Sequence, residues 1–195
     1  MKISMELLTD AILGNGFSVP GGEDISVLHD KNGFPYFKGN TLKGIFREEL
    51  NRLLTWEGKS PEEINKTLDD LLGTGGDDSP APDKLTFSDL VVPEVVKDAV
   101  LKELEGQSEG DHISDQVLSA FTNLRTFTAL EEDGMVKKGS LRIARCVNSG
   151  ISLTGEIDCR KDQVPLVSEV LEMIKWVGTM RNRGFGQVRF SVEEA

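Results

Sequence analysis

Two arginines stand among three glycines near the end of the sequence, in the stretch Gly178-Thr179-Met180-Arg181-Asn182-Arg183-Gly184-Phe185-Gly186. Glycine tolerates positive φ and lets the backbone of a ligand approach closely, and the planar guanidinium groups of Arg181 and Arg183 match the oxygens of a phosphate. This combination suits an anionic chain such as a nucleic-acid backbone. For an isolated loop, however, the simpler interpretation of a helix end followed by a tight turn is favoured.

A second candidate anion site lies at the start of a predicted helix. Either Asn40 or Thr41 can cap this helix, and its apolar residues recur with the 3.6-residue period at Leu42, Ile45, Phe46, Leu50 and Leu53. The first N–H groups of a helix carry partial positive charge and lack partners within the helix. Next to Lys38 and Lys43, they predict a site for an anion such as phosphate.

The negative charge of the protein is concentrated in one segment. The formal net charge is -11, and a uniform distribution of it would argue against nucleic-acid binding, because phosphate neutralisation supplies most of the non-specific affinity. Residues 62–115 hold 15 acidic and 4 basic residues, a net charge of -11, so the remainder holds 18 of each sign (33 minus 15 and 22 minus 4). Three windows outside this segment, residues 38–47, 135–145 and 175–189, contain only basic charges. Such patches can bind an anion whatever the net charge.

Residues 14–30 are rich in glycine and acidic residues, show no periodicity and form a loop long enough to be functional. This loop holds Asp24, and the residues alone favour a solvated acidic loop in which Asp24 lies with Glu23 and Asp30. The sequence has two histidines, His29 in this loop and His112 in the acidic segment. Packing or solvation explains each of them more simply than catalysis does.

The two cysteines, Cys146 and Cys159, are too few for a zinc site and are predicted to be reduced thiols buried in strands. No apolar run reaches the ~18 residues that span a bilayer, and the N-terminus lacks the pattern of a signal peptide. A cytoplasmic location is therefore expected.

The long predicted elements follow one another in the order β, α, β, β, α, β, within one domain that covers residues 1–195. The strands are predicted at residues 2–13, 84–92, 151–159 and 187–192, and the helices at residues 42–53 and 165–177. This order predicts an α+β fold with a ferredoxin-like (RRM-like) βαββαβ core. A helical insertion that carries the acidic excess is expected at about residues 56–118, with helices that begin near Ser60 and at residues 94 and 113.

A β-hairpin is predicted at about residues 122–147. Residues 124–130 and 136–147 flank the acidic turn Glu131-Glu132-Asp133-Gly134, which is typical of a hairpin. By pattern alone, a solvated hairpin and a functional arm are about equally supported.

Four stretches together resemble the RAMP superfamily of CRISPR-associated RNA-binding proteins, and within it the backbone subunits of type III effector complexes. Phe34-Pro35-Tyr36-Phe37-Lys38-Gly39-Asn40-Thr41-Leu42-Lys43-Gly44-Ile45-Phe46-Arg47 looks like the family motif Pro-Tyr-Ile-Pro-Gly-Ser-Ser-Leu-Lys-Gly-x-x-Arg, with Lys38 in place of proline and Asn40-Thr41 in place of the serine pair. Leu72-Gly73-Thr74 and Leu85-Thr86-Phe87-Ser88-Asp89 resemble its Phe-Gly and Phe-Ser-Asp signature. Leu124-Arg125-Thr126-Phe127-Thr128-Ala129-Leu130 with Lys138-Gly139-Ser140-Leu141-Arg142 looks like its thumb hairpin, and Arg181-Asn182-Arg183-Gly184-Phe185-Gly186 is similar to its glycine-rich loop.

The resemblance implies a subunit that stacks in copies along a CRISPR guide RNA, which pairs with target RNA, beside other RAMP subunits and a large signalling or polymerase-type subunit. It implies a thumb that inserts between bases with Met135 or Val136 near its tip. The residues expected to bind RNA are Lys38, Asn40, Thr41, Lys43, Arg47, Arg125, Met135, Lys137, Lys138, Arg142, Arg181, Arg183, Gly184, Phe185 and Gly186.

The resemblance also points to Asp24 as a catalytic residue and metal ligand. The spacing in Gly21-Gly22-Glu23-Asp24-Ile25-Ser26-Val27-Leu28-His29-Asp30 is similar to a loop in which cutting subunits carry an aspartate. It implies Mg²⁺ or Mn²⁺ as cofactor, with Glu23 as an alternative ligand. Some relatives carry a zinc site, but no zinc is expected here, because the sequence has no cluster of cysteines and histidines to hold it. Ile25 and Ser26 depart from the asparagine and proline of many relatives, so a non-cutting paralogue is an alternative. A guide-processing endoribonuclease is another, and it would need His29 or His112 as general base.

Overall fold

Both ends of the chain contribute strands to the main sheet. The computed structural model describes residues 1–14, 16, 18, 22–74, 83–105, 113–129 and 131–193. In chain order the elements are β1 (Lys2–Leu7), β2 (Tyr36–Phe37), α1 (Gly39–Trp56), α2 (Pro61–Leu72), β3 (Thr86–Phe87), β4 (Leu90–Val91), α3 (Glu94–Glu105), α4 (Ile113–Phe121), β5 (Thr122–Phe127), β6 (Arg142–Val147), β7 (Ser152–Asp158), α5 (Val164–Met173) and β8 (Val188–Glu193). The result is a mixed α+β structure with antiparallel sheets.

The main sheet has the strand order β2-β4-β7-β1-β8, and β3 also pairs with β7. In the antiparallel register, Met5 of β1 lies opposite Leu153 of β7 and Phe190 of β8. Alternate residues of β1 are buried, as expected for a strand with one face on the core. The helices that pack on this core bury Leu42, Phe46 and Leu50 from α1 and Val167, Val170 and Leu171 from α5.

The first strand is shorter than the predicted range 2–13. β1 ends at Leu7, and the Leu8 N–H donates to the Gln187 carbonyl at 2.8 Å. Beyond it the chain changes partners, because Ala11 pairs with Val147 and Ile12 pairs with Thr179. The alternating apolar pattern therefore continues past the end of the strand, where it joins the hairpin and the glycine-rich loop to the sheet.

The start of α1 is not capped as predicted. The helix begins at Gly39, neither Asn40 nor Thr41 caps it, and the Gly39 N–H donates to Asp89 Oδ1 at 2.8 Å. A Cβ at residue 39 would lie 2.2 Å from the Phe87 carbonyl oxygen, so only glycine fits this close approach. The cap comes from fifty residues further along the chain, which a local capping rule does not detect.

The predicted strand at residues 84–92 is split in two. Ser88 and Asp89 separate β3 from β4, because Asp89 caps α1 and the Ser88 hydroxyl oxygen accepts a hydrogen bond from the Glu156 N–H at 2.7 Å. The helix predicted at residues 165–177 ends at Met173, after which Ile174 is extended and Trp176 pairs with Gln187.

The prediction of an α2 start at Ser60 is confirmed, with a complete capping box between Ser60 and Glu63. The helices predicted at residues 94 and 113 are also present as α3 and α4. Cys146 is buried in β6, and burial raises the pKa of its thiol to about 11. The prediction for Cys159 is wrong, since this residue is half-buried and follows the last residue of β7.

β5 and β6 form a separate two-stranded sheet, with Thr122 opposite Val147 and Phe127 opposite Arg142. The hairpin strands are therefore shorter than the predicted ranges 124–130 and 136–147, and Leu130 lies outside the described residues. Four large apolar side chains of the hairpin are exposed: Leu124, Met135, Val136 and Leu141. Within the described residues, no helix is both long and apolar enough to span a membrane.

Candidate nucleic-acid interface

Three stretches that are far apart in the sequence meet at one cavity of about 570 Å³. Asp24 comes from the first loop, Lys38 and Thr41 come from the start of α1, and Arg181 comes from the glycine-rich loop. Apolar residues such as Ile12 and Phe37 complete the wall. With Glu48 and Thr179 included, the structure brings together two carboxylates, two cations and two hydroxyls in a concave site of the size that ligands occupy.

The glycine-rich loop is held by close backbone contacts at its two ends. A Cβ on Gly178 would lie 2.4 Å from the Ile12 carbonyl oxygen, and one on Gly186 would lie 2.0 Å from that of Val177. Both glycines have positive φ, and the Gly186 N–H donates to the Asp10 carbonyl at 2.8 Å. Gly178 and Gly186 therefore serve the backbone geometry of the loop.

The middle of the loop is open. Arg181–Arg183 form a 3₁₀ turn between Met180 and Gly184, both in the left-handed region, and a Cβ on Gly184 would meet nothing within 4 Å. Arg181 and Arg183 are exposed and form no ion pair with another described residue. Phe185 is half-buried, and its ring packs edge-on against Phe127 of β5 at 5.6 Å between centroids. Phe185 thus joins the loop to the hairpin.

The predicted residues of α1 separate into two groups. Lys38 and Thr41 are exposed and line the cavity, Asn40 is exposed, and Lys43 is half-buried. Arg47 instead donates to the Gly73 carbonyl and lies 3.9 Å from Asp69. Arg47 therefore braces α1 against α2, away from the residues that line the cavity.

Asp24 is exposed and is attached to the hairpin by its backbone and its side chain. Its N–H donates to the Ile143 carbonyl at 2.8 Å, and its Oδ2 accepts from the Ile143 N–H at 2.8 Å. Its Oδ1 accepts no hydrogen bond from any described residue. The Arg145 N–H donates to the Ile25 carbonyl at 2.9 Å, so the first loop runs beside β6.

Glu23 does not pair with Asp24 as a second carboxylate for a metal ion. It is buried, and its Oε1 accepts from Arg145 Nε at 2.8 Å. The Arg145 guanidinium holds the pKa of the Glu23 carboxyl below its usual value. This pairing argues against Glu23 as the alternative metal ligand, and the described residues contain no group of three histidine, cysteine or acidic side chains suited to a metal.

Arg125 anchors the root of the hairpin. Its guanidinium lies 2.7 Å from Asp10 Oδ2, and Asp10 also accepts from the Ser149 N–H at 3.0 Å and from Asn123 Nδ2 at 3.1 Å. Burial tends to raise the pKa of Asp10, but the bonds from Arg125, Ser149 and Asn123 outweigh it and lower the pKa. Further along the hairpin Met135, Lys137, Lys138 and Arg142 are exposed, and none of these four lines the cavity.

Replacing Glu23 by glutamine is expected to loosen the contact between the first loop and the hairpin. Charged hydrogen bonds of this kind contribute about 1.5–3 kcal/mol, so amide hydrogens of residues 25 and 145 should exchange faster in Glu23→Gln. Because the folded-state pKa of Glu23 is lowered, its contribution is present above the usual glutamate pKa and is lost as the pH falls through the folded value. Protection at these amides should therefore also fall in acid.

The matched control is Asp162→Asn, which breaks an exposed pair with Arg160 at 3.2 Å. Exposed pairs contribute about 0–1 kcal/mol, so this variant should leave exchange near residues 25 and 145 unchanged. Equal exchange in Glu23→Gln and the wild type would show that the pair does not hold the loop.

Comparison with protein families places these features in a known group. The RAMP superfamily model matches residues 4–189, a range that includes the first loop, α1, the hairpin and the glycine-rich loop. The chain belongs to the RAMP superfamily. Among curated protein sequences, none matches it.

Two solved structures share the fold of this RAMP protein. One is described as the cryo-EM structure of the type III-B Cmr-beta bound to cognate target RNA, with 15% identity, a TM-score of 0.64 and coverage of 97% of this chain and 96% of the other. The second is the type III-B Cmr-beta in the apo state, with 15% identity, a TM-score of 0.67 and coverage of 97% and 95%. At 15% identity, the similarity to these two structures establishes a shared fold.

Some residues of the site are not predictable from the sequence. Asp10 lies inside the predicted first strand, and an ionisable residue within an apolar alternating stretch is the one local signal of its role. Glu48 lines the cavity from α1, where a charged residue on a helix is usually a solvated one. His29 is exposed, and its Nδ1 lies 2.9 Å from the Asp30 carbonyl oxygen, whereas His112 lies outside the described residues.

Proposed function

We propose that this RAMP protein is a guide-RNA-binding backbone subunit of a type III CRISPR effector complex. The observation that carries the proposal is the cavity at which Lys38, Thr41 and Arg181 meet. These three residues supply positive charge and hydrogen-bond donors, the groups that contact phosphate oxygens. Such contacts position a nucleic-acid backbone, while base pairing between guide and target supplies the specificity.

The strand order supports a ferredoxin-like core for this subunit. Antiparallel strands in the order β4-β7-β1-β8, with α1 after β1 and α5 after β7, match a βαββαβ plan with insertions. The proposed partners are guide RNA, target RNA, further copies of this chain, other RAMP subunits and a large signalling or polymerase-type subunit. The two solved structures with this fold support RNA and complex partners, because they are described as forms of type III-B Cmr-beta, one with target RNA.

We propose in addition that Asp24 takes part in cleavage of target RNA. Mg²⁺ is usually held by one or two carboxylates together with substrate phosphates, and Asp24 fits this pattern with Oδ1, which has no partner among the described residues. A Mg²⁺ or Mn²⁺ ion bound there would stabilise charge on the scissile phosphate. In this reaction the ribose 2′-hydroxyl gives its proton to water as its oxygen bonds to the adjacent phosphorus. The bond from phosphorus to the 5′-oxygen breaks and this oxygen takes a proton from water, which leaves a cyclic phosphate and a 5′-hydroxyl.

The hairpin is proposed to act as an arm that inserts between bases of the guide-target duplex. Met135 and Val136 are exposed near its tip, and apolar side chains can act as wedges between stacked bases. Deleting residues 131–137 should spare folding, because these residues are exposed, but it should disturb the regular spacing of target cuts. Cuts that remain regularly spaced would identify the hairpin as a solvated edge only.

Two RNA substrates separate this function from its alternatives. The purified protein is incubated with repeat RNA, and the assembled complex is incubated with guide-complementary RNA and magnesium or manganese. The proposal expects no cutting of repeat RNA and cutting of complementary RNA. Cutting of repeat RNA would identify a guide-processing endoribonuclease, whereas guide binding without any cutting would identify a non-cutting paralogue.

A further inference from the structure

One face of α1 continues from the first cavity into a second. Thr41, Ile45 and Glu48 line the first, while Glu49 and Arg52 line a second cavity of about 470 Å³. Offsets of 4, 7, 8 and 11 residues from position 41 place these side chains along a single helix face. Arg181 lines both cavities, so the two are successive stretches of one groove with an arginine between them.

The second cavity combines an aromatic ring with an excess of positive charge. Its wall includes Trp176, which is half-buried, and the cations Arg52, Lys175 and Arg181, against one carboxylate, Glu49. Glu49 already pairs with Arg52 at 2.7 Å. Lys175 is exposed and forms no ion pair with another described residue, so two positive charges remain uncompensated in this wall.

The backbone around Trp176 is fixed on both sides. Trp176 pairs with Gln187, the Val177 N–H donates to the Gly186 carbonyl at 2.8 Å, and the Val188 N–H donates to the Lys175 carbonyl at 2.9 Å. The indole is thus presented by paired backbone next to the glycine-rich loop. A backbone held in this way is ordered before a ligand arrives, which reduces the entropy lost on binding.

We infer that the second cavity binds one nucleotide of single-stranded RNA, with its base stacked on Trp176 and its phosphate held by Lys175 and Arg181. This inference rests on the proposed RNA-binding function and adds a nucleotide site to it. An aromatic platform beside a cationic groove is the arrangement by which proteins bind single strands without reading sequence. The volume of about 470 Å³ lies within the range of ~300–1,000 Å³ found for small-molecule sites. Arg181 lines both cavities. A phosphate bound to Arg181 would therefore join a nucleotide in the second cavity to the RNA strand in the first.

The fluorescence of Trp176 gives a direct test. The protein has two tryptophans, and Trp56 is 72% exposed at the end of α1 and lines neither cavity. In a Trp56→Phe background, titration with a uridine oligomer should quench the remaining fluorescence. An oligomer of the same length made of abasic nucleotides keeps the phosphates and should bind with little quenching.

Variants separate stacking from charge. Trp176→Ala should weaken RNA binding roughly 5- to 150-fold, the usual effect of one stacked base, and leave its salt dependence unchanged. Trp176→Phe keeps a ring and should retain most of the affinity, which also controls for a folding defect in the alanine variant. Lys175→Ala should make the slope of log K against log salt less negative by about 0.7.

The outcomes distinguish this inference from the proposed function. Wild-type affinity in a folded Trp176→Ala variant, with Arg181→Ala still weakened, would overturn the nucleotide site alone. Failure of the wild-type protein to bind RNA would overturn both. Quenching by a second copy of the chain or by an acidic peptide, but not by RNA, would assign the cavity to a protein partner and would also overturn the inference.

Discussion

Replacing Arg181 and Arg183 together by alanine is expected to weaken RNA binding equally for all sequences and to flatten its salt dependence. Each phosphate contact to a single strand contributes about -0.7 to the slope of log K against log salt, so the loss of two should make the slope about 1.4 less negative. Both arginines are exposed and form no ion pair with a described residue. Their removal therefore leaves no partner charge uncompensated, and the fold should persist.

The measurement is a series of binding titrations between about 50 and 200 mM salt, the range over which phosphate contacts change affinity most visibly, on two RNAs of different sequence. Arg160→Ala is the matched control, because Arg160 is exposed, pairs with Asp162 and lines neither cavity of the groove. This control should keep the wild-type slope. An unchanged slope in the double variant would show that the glycine-rich loop does not contact phosphates.

Elements with local signals were predictable from the sequence. The capping box of α2 and the apolar period of α1 each depend on residues a few positions apart, and both are present in the structure. The start of α1 was not predictable in detail, because its cap is Asp89. Contacts across fifty residues become visible only when the sheet brings the two segments together, and the same contact splits the predicted second strand.

The candidate site also combines residues that the sequence predicts with residues that depend on contacts between distant segments. Residue chemistry predicted the stretches that carry Lys38 and Arg181, and the family resemblance pointed to Asp24; the structure places all three residues around one cavity. The sequence did not reveal that Glu23 pairs with Arg145, since the two lie 122 positions apart. Trp176 was also missed, because the apolar period predicts a helix over residues 165–177 that includes it, whereas α5 ends at Met173.

Replacing Asp24 is expected to abolish target cleavage while guide and target binding persist. Asp24 lines the cavity with Lys38 and Arg181, and its Oδ1 has no partner among the described residues. Stabilisation of transition-state charge at such a site is a matter of several kcal/mol, which corresponds to a rate loss on the order of 10³-fold. The carboxylate is the only member of these three that carries negative charge, so its removal should not weaken attraction for RNA.

Two substitutions are needed, because Asp24 also holds the loop to the hairpin through the Ile143 N–H. Asp24→Asn keeps a side-chain oxygen that can accept this hydrogen bond but removes the charge, whereas Asp24→Ala removes both. In the assembled complex with magnesium or manganese, both variants should bind guide and target and fail to cut, while Asp162→Asn, an exposed carboxylate outside the cavity, should cut normally. Cutting by Asp24→Asn but not by Asp24→Ala would show that Asp24 positions the loop without acting on RNA. Wild-type cutting by Asp24→Ala would remove Asp24 from catalysis altogether and would assign the cleavage to other groups of the complex.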